Sequence, residues 1–228
     1  SAQRACCEEV ARAFRVGQAD PTHEFIAMFR AEHALARGNT TLKRVAIVDQ
    51  DPASQYLYPE FVLFTRLFEA HGIAADICDP KDLSIQAGKL TLRGEPIDLV
   101  YNRLTDFALQ EPAHAVLVQA LREDLAVITP HPRAHALYAD KRRLVTLSDQ
   151  AALTDLGVDA ADIALLLRHV PRTRVVTEAL REELWSTRKN LFFKPQNGFG
   201  SKAAYRGDKI TKTVFENVLQ TPYVAQSL

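Results

Sequence analysis

The chain has 228 residues, of which 47% are hydrophobic and 25% are charged, a composition typical of a soluble globular protein. Its 28 Lys and Arg residues balance 28 Asp and Glu residues, which disfavours a nucleic-acid coat or a membrane-surface protein but allows a local basic cleft. No apolar run approaches the roughly 20 residues that span a bilayer. The charged first residues do not resemble a signal peptide. We therefore expect a cytoplasmic protein with neither nucleic acid nor membrane as a partner.

The three cysteines do not form a recognisable framework. Cys6 and Cys7 are adjacent and Cys78 is distant, so the spacing fits neither a disulfide scaffold nor a metal site. We interpret Cys6 and Cys7 as small apolar residues on a helix. Free cysteines of this kind fit a reducing cytoplasm.

Residues 1–40 are predicted to form a helical segment with two helices. Apolar residues recur at helical spacing from Cys6 to Phe14, and Asp20-Pro21 has the pattern of an N-cap followed by proline in the first turn. The second helix is predicted to end at Gly38-Asn39. Its expected apolar stripe consists of Phe25, Met28, Phe29 and Leu35.

Residues 41–135 alternate between strand and helix patterns. This alternation predicts an α/β domain with a Rossmann-like parallel sheet. The predicted strands are 45–48, 74–78, 97–101 and 126–129, and the predicted helices are 59–71 and 111–122. Residues 89–92 are predicted to add a short edge strand beside the turn at Gly94.

Residues 136–228 form the third predicted part, with the boundary placed between Pro130 and Ala139. Its pattern indicates an α+β subdomain. The predicted helices are 134–150, 160–169, 177–188 and 211–219, and the predicted strands are 191–194, 203–205 and 222–226. The first two of these strands flank a glycine-containing turn and are predicted to pair as a hairpin.

The hairpin turn combines glycines with positive charge. Gly198, Gly200 and Gly207 are three of only nine glycines in the chain, and Lys194 precedes them. Glycines permit a backbone conformation in which successive N–H groups form an anion-binding concavity. The stretch lacks the Gly-Lys-Ser/Thr sequence of a P-loop. A phosphate-binding loop and a mobile surface hairpin with solvated charges both remain possible from this pattern.

Several short motifs together resemble the ATP-grasp superfamily over residues 45–228. In chain order they are VAIVDQDP, ALYADKRRLVTLSD, VPRTRVV, LFFKP, NGFGSKAAYRG and YVAQ. The combination of YNRLTDF with FFKP and GFGS is most similar to bacterial carboxylate-amine ligases related to glutathionylspermidine synthetase. The resemblance implies a Rossmann-like pre-ATP-grasp domain followed by the small subdomain of an ATP-grasp domain.

The resemblance also implies a reaction and a nucleotide site. ATP would phosphorylate a small-molecule carboxylate, and an amine or thiol would then displace phosphate from the acylphosphate. The implied ATP phosphate ligands are Lys141 and Lys194, and Gln226 or its neighbours would lie beside adenine. The backbone that would cover the phosphates belongs to Gly198, Phe199, Gly200 and Ser201.

The basic residues around this site have alternative interpretations. Lys141 begins the run Lys141-Arg142-Arg143, which on a helix is usually a solvated face. Lys202 and Arg206 are near enough in sequence to touch phosphate, but as loop residues we expect them to face solvent.

Asn102 and Arg103 are the predicted substrate-binding residues. They follow the strand 97–101, and ligands of open parallel sheets bind beyond the carboxyl ends of the strands. Arg103 is suited to bind a substrate carboxylate with two parallel hydrogen bonds. The alternative is an ion pair with Asp106 or another carboxylate. Asp49 and Gln50 end a neighbouring strand, and we interpret them as capping residues.

No metal site is predicted for this chain. His131 and His135 are four residues apart, a spacing that metal ligands use on helices, but without a third ligand they are interpreted as structural. Mg²⁺ requires oxygen ligands, which the resemblance places beyond the YVAQ strand. The sequence therefore predicts a truncated ligase that is inactive alone, with Mg²⁺ bound by the full-length protein.

Two other functions remain open from the sequence. One is a catalytically incomplete nucleotide-binding or scaffold module that acts through a partner. The other is a sugar-nucleotide or similar Rossmann-type domain whose site lies only on the sheet of residues 45–130. The sequence predicts no oligomeric state.

Overall fold

The computed structural model describes residues 22–228. The chain divides into two compact units, the first ending at Arg133 and the second running from Ala134 to Leu228. The predicted first helix with Cys6 and Cys7, and the helix start at Asp20-Pro21, lie outside the described residues.

The described residues form nine α-helices, which are numbered in chain order. None of these helices is long and apolar enough to cross a bilayer. Their bounds are α1 Thr22–Arg37, α2 Tyr58–Ala70, α3 Ala115–Arg122, α4 Pro132–Tyr138, α5 Arg143–Leu147, α6 Gln150–Asp155, α7 Ala160–His169, α8 Arg181–Thr187 and α9 Lys212–Leu219.

Eleven strands form three sheets within the described residues. Their bounds are β1 Arg44–Val48, β2 Ala74–Cys78, β3 Leu83–Gln86, β4 Lys89–Leu92, β5 Glu95–Pro96, β6 Leu99–Asn102, β7 Val127–Thr129, β8 Thr173–Val175, β9 Leu191–Pro195, β10 Tyr205–Arg206 and β11 Tyr223–Ser227. The sheet orders are β2-β1-β6-β7, β10-β9-β11-β8 and β3-β4-β5.

The first unit is built on the four-stranded sheet β2-β1-β6-β7, in which all neighbouring strands are parallel. Val45 to Val48 of β1 are fully buried, because both faces of the sheet are covered. One apolar cluster includes Ala46, Val48 and Leu117 of α3. The other includes Val45 and Ile47. This arrangement explains the continuous apolar runs of the central strands and confirms the predicted α/β fold class.

Two predictions for the first unit are wrong. The strand at residues 89–92 is present as β4, but its predicted edge position is wrong, because β4 is the middle strand of a separate antiparallel sheet. Tight turns on either side of β4 contain Gly88 and Gly94, both with positive φ. The packed face of α1 is also different from the predicted stripe. Ile26, Phe29 and His33 are buried, whereas Phe25, Met28 and Leu35 are exposed.

The second unit is built on an antiparallel sheet. The predicted hairpin is confirmed, since β9 pairs with β10 through Tyr205 opposite Phe193. β11 lies between β9 and β8. One face of this sheet carries Phe193 and Ala225, which pack with Phe215 of α9 in the core of the unit.

The predicted continuous helix 134–150 is wrong, because α4, α5 and α6 are separate. The first break has a local cause: the carboxylate of Asp140 accepts the backbone N–H of Arg142 at 2.8 Å. A side chain that captures a nearby backbone N–H competes with the helical hydrogen bond. Lys141 therefore lies in a turn and not on a helix, and its own N–H donates to the carbonyl of Gln196 at 3.0 Å.

Candidate functional site

A cavity of about 500 Å³ lies beside the β9–β10 hairpin in the second unit. All seven residues that the sequence predicted for ATP line this cavity, namely Lys141, Lys194, Gly198, Phe199, Gly200, Ser201 and Gln226. Lys202 also lines it, contrary to the expectation that it faces only solvent. No aspartate or glutamate of the described part of the chain is among the lining residues. The cavity wall therefore has three ammonium groups and no acidic side chain to neutralise them.

Strand alternation places Lys194 on the cavity side of the sheet. Phe193 points into the core, so its neighbours Phe192 and Lys194 project from the opposite face. Gln226 pairs with Phe192 across β9 and β11 and therefore lies on the same face as Lys194. The Lys194 ammonium lies 5.4 Å from the centroid of the Phe192 ring, within the range of a cation–π contact.

A hydrogen-bonded chain fixes the position of the Lys194 ammonium. Its Nζ donates to Oε1 of Gln226 at 2.7 Å, and Nε2 of Gln226 donates to Oγ1 of Thr173 at 3.1 Å. Gln226 is only 7% exposed, and both ends of its amide are engaged. Its side chain thus orients Lys194, a role that sequence reasoning missed. Thr173 was missed too, although the predicted VPRTRVV motif contains it.

Lys141 contacts the glycine loop directly. Its Nζ donates to the carbonyl oxygen of Gly198 at 3.1 Å. Asp140 does not neutralise Lys141, because both carboxylate oxygens accept from Arg142, at 2.8 and 2.9 Å. The hydrogen bond from the Arg142 guanidinium also lowers the pKa of Asp140. Lys141 is therefore available to an anion in the cavity.

The loop backbone adopts the conformations that its glycines permit. Gly198 has φ 141° and Gly200 has φ 62°, and Ser201 is also left-handed at φ 57°. Among the described residues, no backbone acceptor is found for the N–H groups of Gly198, Gly200 and Ser201. Successive N–H groups of this kind can bind an anion.

Arg103 lies at the carboxyl edge of the parallel sheet in the first unit. Its guanidinium donates to the hydroxyl of Tyr101 at 2.9 Å and forms an ion pair with Glu60 at 3.2 Å. It also lies 5.6 Å from the centroid of the Phe61 ring. The ion-pair alternative therefore describes this structure, with Glu60 and not Asp106 as the carboxylate. Asp106 instead contacts His114 at 2.8 Å.

The other predicted residues of this edge are engaged with the local backbone. Oδ1 of Asn102 accepts from the N–H of Leu104 at 3.2 Å, and Oδ1 of Asp49 accepts from the N–H of Gln50 at 2.9 Å. Burial raises the pKa of Asp49, although the Gln50 N–H and the charge of Arg103 act in the other direction. Nε of Arg103 and Nε2 of His114 are buried without a hydrogen-bond partner among the described residues.

We expect Asp106→Asn to destabilise the protein by about 1 to 2 kcal/mol at neutral pH, since the carboxylate accepts from His114 and from the Glu111 N–H. Burial raises the pKa of Asp106, but these hydrogen bonds outweigh it and the net pKa is lowered. The stabilisation is therefore present above the ordinary value of 3.8 and is lost as the pH falls further. Urea titrations at several pH values measure this difference. A gap between wild type and variant that widened below that value would contradict the prediction.

The four-residue spacing suggested that His131 and His135 lie on one helical face, but in the structure they do not. His131 precedes α4, and its Nδ1 accepts from the N–H of Arg133 at 2.9 Å. No group of three or more His, Cys, Asp or Glu side chains suited to a metal occurs in the described part of the chain.

No protein-family model matches the chain, and no curated protein matches its sequence. Solved structures are similar in fold. A glutathione synthetase-like effector, GSS30, from Globodera pallida has a TM-score of 0.54 at 12% identity, covering 91% of this chain and 45% of that protein.

Two further structures have lower TM-scores. D-cycloserine synthetase DcsG has a TM-score of 0.46 at 19% identity, covering 81% of this chain and 58% of that one. The ATP-grasp ligase PsnB, complexed with a minimal precursor, Mg and ADP, has a TM-score of 0.43 at 19% identity, covering 83% and 66%. The chain thus spans less than two thirds of these proteins.

Proposed function

We propose that this chain supplies the ATP phosphate site of a carboxylate-amine or carboxylate-thiol ligase that acts through an acylphosphate, as its ATP-grasp-like motifs imply and as its similarity in fold to a glutathione synthetase-like effector supports. The observation that carries the proposal is the cavity of the second unit, whose lining residues include Lys141, Lys194 and Lys202 but no acidic side chain. ATP, when bound, supplies the phosphoryl group that activates a substrate carboxylate.

The electrostatics of the cavity favour a polyphosphate. Like charges that share a cavity repel each other, and at the low dielectric of a partly enclosed site this repulsion is stronger than in water. Within residues 22–228, Lys194 and Lys141 have hydrogen bonds to uncharged oxygens only, those of Gln226 and Gly198. A multiply charged phosphate chain would relieve the repulsion and accept charge-assisted hydrogen bonds.

Each residue of the site has a separate proposed role. Lys194, oriented by Gln226, binds a phosphate oxygen from the sheet. Lys141 binds from the turn between α4 and α5. The backbone of Gly198 to Ser201 covers the phosphates, and the main chain near Gln226 borders the base. Mg²⁺ is proposed for the whole protein, and no residue is proposed as its ligand, because the described residues offer no cluster of metal ligands.

Asn102 and Arg103 are our proposed contacts for the small-molecule carboxylate. Arg103 already pairs with Glu60, so a substrate carboxylate would compete with that side chain. The amine or thiol substrate is not assigned to any residue.

Calorimetric titration of this chain with ATP, ADP and adenosine tests the proposal. We expect ATP and ADP to bind at least tenfold more tightly than adenosine, because lysine–phosphate contacts are worth about 1.5 to 3 kcal/mol each. Equal affinity for ATP and adenosine would contradict a phosphate site in this cavity. At the full native length of the protein, ATP binding without phosphate release in the presence of carboxylates and amines would favour a nucleotide-binding module over a ligase.

A further inference from the structure

A second cavity, of about 580 Å³, lies at the amino edge of the parallel sheet in the first unit. Three of its lining residues lie just before strands of this sheet. Lys43 directly precedes β1, Asp98 directly precedes β6, and Leu125 lies two residues before β7. The cavity is also lined by His33 and Arg37 of α1 and by Lys89 of β4. The edge is opposite to the one that carries Asn102 and Arg103.

The charges of this cavity are unbalanced. Within the described residues, neither Lys43 nor Lys89 has a carboxylate within ion-pair distance, whereas Arg37 pairs with Asp124 at 2.8 Å. The only acidic side chain of the lining is Asp98. Its Oδ2 already accepts from the backbone N–H groups of Lys43 and Arg44, at 2.8 and 2.9 Å. Lys43 and Lys89 therefore line the cavity without an ion pair of their own, and Asp98 contributes a single negative charge to a lining that is positive in sum.

His33 is the strongest indication of a built site. It is only 4% exposed and lines the cavity, but its ring hydrogen-bonds to none of the described residues. The buried side-chain atoms without a partner in the described part of the chain do not include the ring nitrogens of His33, so these nitrogens are open to the cavity that the residue lines. A ligand with an acceptor oxygen would satisfy the imidazole N–H.

The remaining lining residues define the body of the ligand. Ile97 and Pro96 provide apolar surface, and the hydroxyl groups of Thr40 and Thr41 provide hydrogen-bond donors and acceptors. We infer that this cavity binds a small organic anion, either a phosphate monoester or a di- or tricarboxylate. The anionic group would contact Lys43, Lys89 and His33, and a short carbon chain would pack on Ile97. This site is independent of the proposed ATP site.

The test uses inorganic phosphate and succinate as probes, with two-dimensional NMR of the histidine ring and backbone signals. We expect the His33 ring signals to shift on titration with at least one probe. Lys43→Gln and Lys89→Gln should each raise the dissociation constant about three- to tenfold, since each removes one charge-assisted contact. Both lysines are exposed, so the variants should fold. A phosphate-only or succinate-only response would identify the anionic group.

The matched control is Lys81→Gln, an exposed lysine of the same unit that follows β2 at the carboxyl edge. It should leave the dissociation constant unchanged. Three results would overturn the inference: no shift of His33 signals with either probe, an equal loss of affinity in the Lys81 control, or shifts confined to the glycine loop of the second unit. The last result would leave the proposed ATP site intact, and failure of ATP to bind would leave this inference intact.

Discussion

Lys194→Ala should weaken ATP binding to this chain by roughly 10- to 100-fold, as measured by calorimetric titration. Among the described residues, the Lys194 ammonium is the only cavity cation with a hydrogen bond to a neighbouring side chain, that of Gln226 at 2.7 Å. Its orientation is therefore set before the ligand arrives, which reduces the entropy lost on binding. Adenosine affinity should change little, because the substitution removes a phosphate contact and not a base contact.

The control for this prediction is Lys212→Ala. Lys212 is an exposed lysine at the start of α9 in the same unit, and it does not line the cavity. Both substitutions remove one positive charge, so a difference between them cannot arise from net charge alone. If Lys194→Ala bound ATP as tightly as wild type, the nucleotide site would lie elsewhere, as in the Rossmann-type alternative on the first unit.

Local patterns were sufficient for most of the secondary structure. The buried run at Val45 to Val48 and the helix α7 were predicted because apolar periodicity and caps are properties of neighbouring residues. The helix 134–150 failed for an equally local reason, since the side chain of Asp140 takes the N–H of Arg142. The sequence shows an aspartate at this position, but a helical pattern alone does not show from which N–H group its carboxylate accepts a hydrogen bond.

The candidate site was predictable only in part. Lys194 and the loop of Gly198 to Ser201 are close in sequence, and a motif can include them together. The chain from Lys194 through Gln226 to Thr173 joins residues 32 and 53 positions apart. Such contacts depend on the pairing of β8, β9 and β11, which periodicity does not specify. The amino-edge cavity was missed for the same reason, because α1, β1 and β6 meet there only in the folded unit.

Gly207→Ala should destabilise the second unit by about 2 to 3 kcal/mol, the upper part of the usual range for forced overpacking. A Cβ at Gly207 would overlap the carbonyl oxygen of Arg188 and lie 2.8 Å from that of Leu191. Neither oxygen can move freely: the Arg188 carbonyl accepts from the N–H of Leu191, and the Leu191 carbonyl accepts from the N–H of Gly207 at 2.8 Å. The site therefore requires glycine for space and not for positive φ.

Gly157→Ala provides the contrast, because Gly157 has φ +74° and open space around its Cβ position. This substitution should lower the free energy of unfolding by only about 1 kcal/mol, the cost of placing alanine in the left-handed backbone conformation. Urea unfolding followed by tryptophan fluorescence measures the destabilisation by both substitutions. The single tryptophan, Trp185, belongs to the second unit, and its ring centroid lies 5.1 Å from that of Phe215. If Gly207→Ala proved no more destabilising than Gly157→Ala, the backbone around Arg188 would have to be adaptable. The anchoring of β9, and with it the fixed position of Lys194, would then need another explanation.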